Sequence, residues 1–370
     1  MTSAELPRAK VVEEVESIWG TPLHPAGCEV CGQAHLVEEM RVGSMCPNCG
    51  KGILNPQPAV LRPEPPEMVI LFKIERDDLP SVFLGFVKGV WLRPDEFNPA
   101  TLFKRAVPVL IPMWLVDGDV VGAWQAEVGF DYQVKSSQES YVNGSWQTHE
   151  VIETRARWEP RTGLLTRHYD NVAVPALSDH NELIERVGDF QLEASTAYSP
   201  TLIVGADLRV PDLQPGDMWL AAKDNLNRVA AGECQQAASA QHIRNFSIDA
   251  EYRSLNWTQL MLPVFLSYYK DDDGNPQLIF INGQSRWISG ARLASQRKGW
   301  KWAGIMSAVG IAVFLFGVLV TLLGAMLTPL VVVGLIFIAL SFIFGLSAII
   351  PAVYPWQHNR KQQVKKVYQK

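Results

Sequence analysis

Between Lys301 and His358 no charged side chain interrupts a run that is apolar at nearly every position. A helix needs about 20 such residues to cross the roughly 30 Å hydrocarbon core of a bilayer, so this stretch predicts two spans. Proline cannot supply the amide hydrogen that a continuing helix needs, and Thr328-Pro329 therefore predicts the turn between arms at 302–327 and 330–355. Upstream the pattern is mixed. Val11, Val12, Val15, Ile18 and Trp19 recur at helical spacing among Glu13, Glu14 and Glu16, which predicts an amphipathic lead-in over residues 1–20 whose apolar face docks on the following module or, as the alternative, on a partner. Residues 68–75 read as a strand, and Asp77 to Val90 as a helix with Leu79, Val82, Phe83, Phe86 and Val87 on one face.

After Pro112 the period falls to two. Trp124, Ala126, Val128, Phe130, Tyr132 and Val134 alternate with polar residues or glycine, and Ile152, Thr154, Ala156 and Trp158 alternate with Glu153, Arg155, Arg157 and Glu159. Half-buried antiparallel strands read this way. Asp117-Gly118, Asn143-Gly144 and Thr162-Gly163 are turn dipeptides and predict a meander. Leu177 to Val187 and Gly216 to Ile243 are helical, the second with Trp219, Leu220, Leu226 and Val229 toward the core and Cys234 as a small buried apolar residue. Residues 259–289 return to strands, with Asp271 to Asn275 as a solvated turn. Its aspartates are adjacent, whereas a calcium loop needs them alternating. The fold class is α+β: a Trp-rich antiparallel region with helices over 68–299, read as one unit or as two at 68–175 and 176–299, and a transmembrane hairpin over 300–357.

Charge orients the hairpin. Arg292, Arg297, Lys298 and Lys301 precede it and Arg360, Lys361, Lys365, Lys366 and Lys370 come after it, while the turn is uncharged, which predicts both flanks on the cytoplasmic side of an inner membrane. Trp300, Trp302, Tyr354 and Trp356 are the expected interface anchors. Arg360, Lys361, Lys365 and Lys366, in a basic tail over 358–370, are the expected contacts to anionic headgroups. Gly310, Gly317 and Gly324 recur every seven residues and make a smooth stripe for helix packing, within the hairpin against Gly334, Ser341 and Gly345, or between copies. No Asp, Glu, Lys or Arg lies inside the spans to serve an ion or proton pathway. Five of the 33 basic residues and none of the 38 acidic ones fall in 302–370, so the preceding chain carries 28 basic against 38 acidic residues. Such an acidic body argues against a broad nucleic-acid footprint.

The strongest chemical signal is Cys28-Glu29-Val30-Cys31-Gly32 and Cys46-Pro47-Asn48-Cys49-Gly50. Two CxxC knuckles separated by the length of a β-hairpin make a four-thiolate site, and in a reducing compartment that chemistry predicts structural Zn2+ on Cys28, Cys31, Cys46 and Cys49. His24 and His35 are nearby, but four cysteines suffice. With four protein ligands no position is left for an activated water. The ribbon occupies 21–54, and the prolines at 56, 58, 63, 65 and 66 make 55–67 an extended spacer that lets the ribbon stand away from the larger α+β region.

The double-CxxC ribbon, the spacer, the Trp-rich region, Leu262-Pro263-Val264-Phe265-Leu266-Ser267-Tyr268-Tyr269, then Ile281-Asn282-Gly283-Gln284 and the terminal hairpin together resemble bacterial membrane-anchored zinc-ribbon proteins, often labelled primosomal-helicase-like. Ser285-Arg286-Trp287 departs from that family's usual turn. The resemblance implies a non-enzymatic component of envelope-stress systems, a membrane platform for flotillin- or prohibitin-like scaffold proteins. A helicase reading fails because the chain has no GxxxxGK[ST] phosphate cradle, and GxSxG and HExxH are absent too. The expected function is a membrane adaptor for a protein partner; the alternatives are a tethered nucleic-acid binder and a small-ligand or lipid sensor with a pocket among the tryptophans.

Overall fold

The computed structural model describes residues 10–60, 64–142, 144–324 and 328–368. In chain order, β1 (Lys10–Val11) leads into α1 (Val12–Trp19), then the hairpin β2 (His24–Gly27) and β3 (Ala34–Val37) and the short strands β4 (Asn55–Pro56), β5 (Ala59–Val60) and β6 (Met68–Ile70). Helices α2 (Leu79–Val87) and α3 (Pro99–Lys104) precede the two longest strands, β7 (Val107–Val142) and β8 (Ser145–Pro175). Then come α4 (His180–Val187), β9 (Ser195–Ala197), β10 (Asp207–Arg209), α5 (Trp219–Ala237), β11 (His242–Lys270), β12 (Pro276–Asn282) and β13 (Ile288–Gly290). The chain ends in α6 (Gln296–Leu323), α7 (Thr328–Ser347) and α8 (Ile349–Tyr368).

Among the described residues one 11-stranded sheet runs β13-β12-β11-β7-β10-β3-β2-β4, with β8 on β7 and with β6 on β11 and β9. The ribbon hairpin therefore belongs to the main sheet, because β3 pairs with β10 through Leu36–Leu208 and His35–Arg209. The segment expected to hold it at a distance is itself pinned down. Asn55 and Pro56 pair with β2, Ala59 and Val60 pair with β1, and the Glu67 carboxylate accepts the Gln259 amide at 2.7 Å. The lead-in docks on the same body, with Val15 and Trp19 buried among Leu23, Leu36, Val69 and Leu110.

The expected meander is a single hairpin. Asp117-Gly118 and Thr162-Gly163 lie inside β7 and β8, which pair without a break from Gly118–Tyr169 out to Val142–Ser145. Of the three turn dipeptides only Asn143-Gly144 falls where the chain reverses. Gly144 has φ +83°, and Asn143 lies outside the described residues. The other glycines serve close approach, not reversal. A Cβ on Gly163 would sit 2.7 Å from the Trp124 indole nitrogen, and one on Gly118 would sit 2.7 Å from Leu255 Cδ2. Asp117 stands at a bulge, where its carboxylate accepts the Asn171 amide at 2.7 Å.

Strand β11 starts at His242, opposite Gly129, so beyond that point the hairpin has only two strands. Phe130–Val142 and Ser145–Arg157 make an arm of about 40 Å, mostly exposed on both faces. Toward the body the same strands are covered by α5, whose buried stripe includes the expected Leu226 and Cys234 but not the expected Leu220 and Val229. Ala222, Leu226, Ala230 and Cys234 are buried, whereas Leu220 is 73% and Val229 42% exposed. Small residues let the helix backbone approach the sheet closely, and a reading that weighs bulk overlooks them.

The terminal helices form the hairpin. Gly310 faces Ser341 and Phe344, Gly317 faces Gly334 and Ile338, and Gly324 faces Val331, so the glycine stripe of α6 is filled by α7. Thr328 and Pro329 open α7, a placement that suits a residue lacking an amide hydrogen. The helix breaks again at Ala348 because Pro351 cannot donate to Ser347, and α8 continues past the apolar run into Asn359 and Arg360. Two helical stretches, Gln296–Leu323 and Pro329–Gln362, are long and apolar enough to cross a membrane.

Gly122 tests the close packing of β7 on β11. A Cβ there would collide with Asp249 O and Ala250 Cα, so Gly122→Ala is expected to lower stability by about 1–3 kcal/mol in thermal unfolding. Gly232 in α5 has open space around it, and Gly232→Ala is expected to leave stability unchanged or raise it by up to about 1 kcal/mol.

Candidate metal centre

Each CxxC is wound into a tight knuckle by its own backbone. Gly32 N donates to Cys28 O at 2.7 Å and Gly50 N to Cys46 O at 2.9 Å, with Gly32 and Gly50 at φ +72° and +63° where a side chain would be strained. Gly52 leaves room for the first knuckle, since a Cβ on it would overlap Cys28 Sγ. The four sulfurs of Cys28, Cys31, Cys46 and Cys49 lie within 4.8 Å of one another, a cluster that could hold a metal ion. Cys28 and Cys49 are 3.7 Å apart and Cys31 and Cys46 3.8 Å. A tetrahedron with metal–sulfur bonds of about 2.3 Å has edges of about 3.8 Å, so the spacing suits a four-coordinate thiophilic ion.

The surroundings favour thiolate at Cys31 and the thiol at Cys46 and Cys28. The hydrogen bond from Cys46 holds the Cys31 thiol at about 4, far below the usual thiol range, with the Asn48 amide assisting at 3.8 Å. Giving that bond pushes Cys46 up, and burial pushes Cys28 up. Gly52 N points at Cys49 Sγ at 3.4 Å. His35 is fully buried with Nε2 4.0 Å from Cys46 Sγ, beside the four-sulfur cluster but not one of its members. Burial, then the charges of Arg209 and Arg41, hold its pKa down at about 3, so it is neutral.

Strand β10 fastens the centre to the sheet with two alternate side chains. The wholly buried Arg209 guanidinium grips both oxygens of Asp179 at 3.0 and 3.1 Å, Gln33 Oε1 at 2.5 Å beside the first knuckle, and Asn48 Oδ1 at 3.2 Å in the second. Two residues away, Asp207 receives Arg41 from the ribbon in a forked pair, closest at 2.7 Å. Burial pushes the Asp207 carboxyl up while Arg41 opposes the shift. Neither Arg209 nor Asp207 stood out in the sequence, where they are ordinary charges in Ala206-Asp207-Leu208-Arg209-Val210. An Arg and an Asp alternating inside an apolar strand is the signal that could have found them.

The Asn282-Gly283-Gln284 motif proves to be a second fastener. Buried Asn282 donates to Val187 O and Asp189 O, each at 3.1 Å, and accepts from Gln284 N and Ser285 N. Gln284 exchanges two bonds with the Gln191 backbone. The Leu262–Tyr269 segment is the buried inner end of β11.

On the apolar C-terminal helices Trp300, Trp302 and Trp356 are exposed, and Arg360 and Lys361 are exposed on α8. The side chains of Lys365 and Lys366 lie outside the described residues, although their backbone is helical. Tyr354 differs. Its ring meets Trp91 edge-on at 5.2 Å and stacks on His358 at 5.5 Å, and its hydroxyl accepts Trp91 N at 3.1 Å, so it joins the anchor to the soluble body.

Comparison with family models, curated proteins and solved structures finds no match for this chain.

Removing the guanidinium would leave Asp179 and the two knuckle amides without their shared donor. Arg209→Met is expected to cost on the order of 3 kcal/mol in denaturant unfolding. Arg209→Lys is expected to recover little of it, since an ammonium cannot serve four acceptors in a planar fork.

Proposed function

We propose that the chain is a non-enzymatic adaptor, held in the inner membrane by its helical hairpin with both termini cytoplasmic, that presents a two-stranded β arm to a protein partner. The observation that carries this reading is where free strand edges occur. Ribbon strands β2 and β3 are both paired on their two sides, which leaves no edge there for another chain. Among the described residues β8 pairs only with β7, and β7 beyond Gly129 pairs only with β8. An extended segment of a partner can add to such an edge through main-chain hydrogen bonds. Docking thus falls to the arm, and the ribbon's role is structural.

Zn2+ is the ion that best fits four cysteine sulfurs at tetrahedral spacing, and a closed centre of that kind would brace β2 and β3 against β10. The basic residues flanking both apolar helices support the cytoplasmic orientation. The resemblance to membrane-anchored zinc-ribbon proteins supports a scaffold of the flotillin or prohibitin type as the partner, in envelope stress. Mixed charge on the arm, with Lys135, Arg155 and Arg157 against Asp131, Glu139, Glu150 and Glu153, weighs against nucleic acid. A cleft of about 490 Å³ near the start of α6 is open and lined by Asp95, Glu96, Asp272 and Lys298, which does not favour an apolar ligand.

Metal analysis of the purified full chain is expected to return one zinc per chain, and a strong chelator to lower its melting temperature while leaving it in the membrane fraction. Partner recovery from nuclease-treated native membranes should separate the two modules. Replacing residues 132–155 by a two-residue turn is expected to abolish recovery and Cys46→Ser to weaken it. Unchanged recovery in both would sink the adaptor reading.

A further inference from the structure

One exposed aromatic on the soluble body has an unexplained position. Trp91 is 49% exposed and stands against Tyr354 at the foot of the hairpin. We propose that the loop from Lys88 to Arg93 is a third contact with the bilayer, seating Trp91 in the lipid headgroup layer and fixing how the soluble body lies on the membrane. This inference rests on the hairpin spanning the membrane.

The loop is tied to the juxtamembrane segment at three points, with a fourth just past it at Asp95. Trp91 N donates to the Tyr354 hydroxyl at 3.1 Å, Ser295 N at the cap of α6 donates to Leu92 O at 2.6 Å, Arg292 donates to Lys88 O, and Lys298 pairs with Asp95 at 2.5 Å. From the other side, Asn359 of α8 exchanges both its amide bonds with Ala294, and His358 Nε2 donates to Arg292 O at 2.8 Å. Leu92 adopts φ +53°, a conformation that costs a branched side chain energy and persists only when its surroundings impose it. It is buried while its neighbour Trp91 is exposed.

The level of the loop is set by the helix packing. A Cβ on Gly299 would meet Pro351 O at 2.5 Å and Pro355 at 2.9 Å, which places Tyr354 alongside Gly299, three residues before the apolar run begins at Trp302. Three helical residues rise about 5 Å, so Trp91 lies within one turn of the boundary, at the depth that amphipathic rings prefer. Lys88 and Arg93 flank it in the chain, while Lys298 is paired with Asp95 beside the acidic cleft at the start of α6, so the seating rests on the aromatic ring more than on charge.

The test uses the zinc-loaded full chain in vesicles of phosphatidylcholine with phosphatidylglycerol, carrying an environment-sensitive thiol fluorophore at Trp91→Cys, with Lys88→Cys as a second position in case the first disturbs the fold. Ile311→Cys within α6 and Glu150→Cys on the arm are references, and wild-type protein treated identically sets the blank. The expected result is several-fold stronger quenching by headgroup-spin-labelled lipid at 91 and 88 than at 150, with protection from aqueous iodide. Positions 91 and 88 matching 150, while 311 is quenched by chain-labelled lipid, would overturn the loop contact and leave the hairpin standing. Absence of lipid quenching at 311 would overturn both.

Discussion

The fully buried guanidinium of Arg209 is the constraint on which the arrangement depends. A charge that deep is tolerable only when most of its donors are met, and here the acceptors come from three places distant in sequence: Gln33 at one knuckle, Asn48 in the other, and Asp179 at the entry to α4. None of these can move without leaving part of the charge uncompensated. The contact therefore specifies one relative placement of metal centre, sheet and helix, even though a buried ion pair adds little net stability over an apolar replacement. Asp207 repeats the device on the same face of β10, two residues earlier, with Arg41.

This explains why so short a strand matters. β10 has three residues, yet it is parallel to β7 on one side and antiparallel to β3 on the other, and it joins the small four-cysteine hairpin to a large sheet. The sheet then carries that rigidity in two directions. One is outward along β7 and β8 to the arm, and the other runs through β11, β12 and the segment around Leu293 to the foot of the helices.

The parts of this architecture that were legible in the sequence are those with local periodicity or a fixed motif. The four cysteines, the long apolar run, the strand alternation from Trp124 and the helix from Leu79 all carry their signal within a few residues, and the structure has the corresponding cysteine cluster, apolar helices, strands and helix. What escaped was set by tertiary contact. Gly118 and Gly163 look like turn residues until Leu255 and Trp124 are seen to occupy the space a Cβ would need. The buried face of α5 is made largely of alanines and Cys234 because the sheet lies close, while bulkier Leu220 and Val229 are left outside. Proline-rich 55–67 reads as a spacer, yet Glu67 and the residues at 55, 56, 59 and 60 find partners from elsewhere in the chain. Trp91 illustrates the same limit, since nothing near it in sequence hints at the apolar helices and only Tyr354 brings it beside them.

The arm raises a thermodynamic question that the rest of the fold answers. A two-stranded ribbon is marginal by itself in water, and 13 residues on each side beyond Gly129 have no third strand or helix to cover them. Its order comes from register inherited from the three-stranded portion, where β11 and α5 bury the same strands, supplemented at the tip by the edge-on contact of Tyr141 with Trp146. An element at the low end of local stability gains most from a ligand that binds only its ordered form, because binding energy and ordering then appear in one equilibrium. Because β11 and α5 hold the base of the arm, a partner strand added near the tip would meet a template already in register, and the ordering cost would be confined to the last few residue pairs.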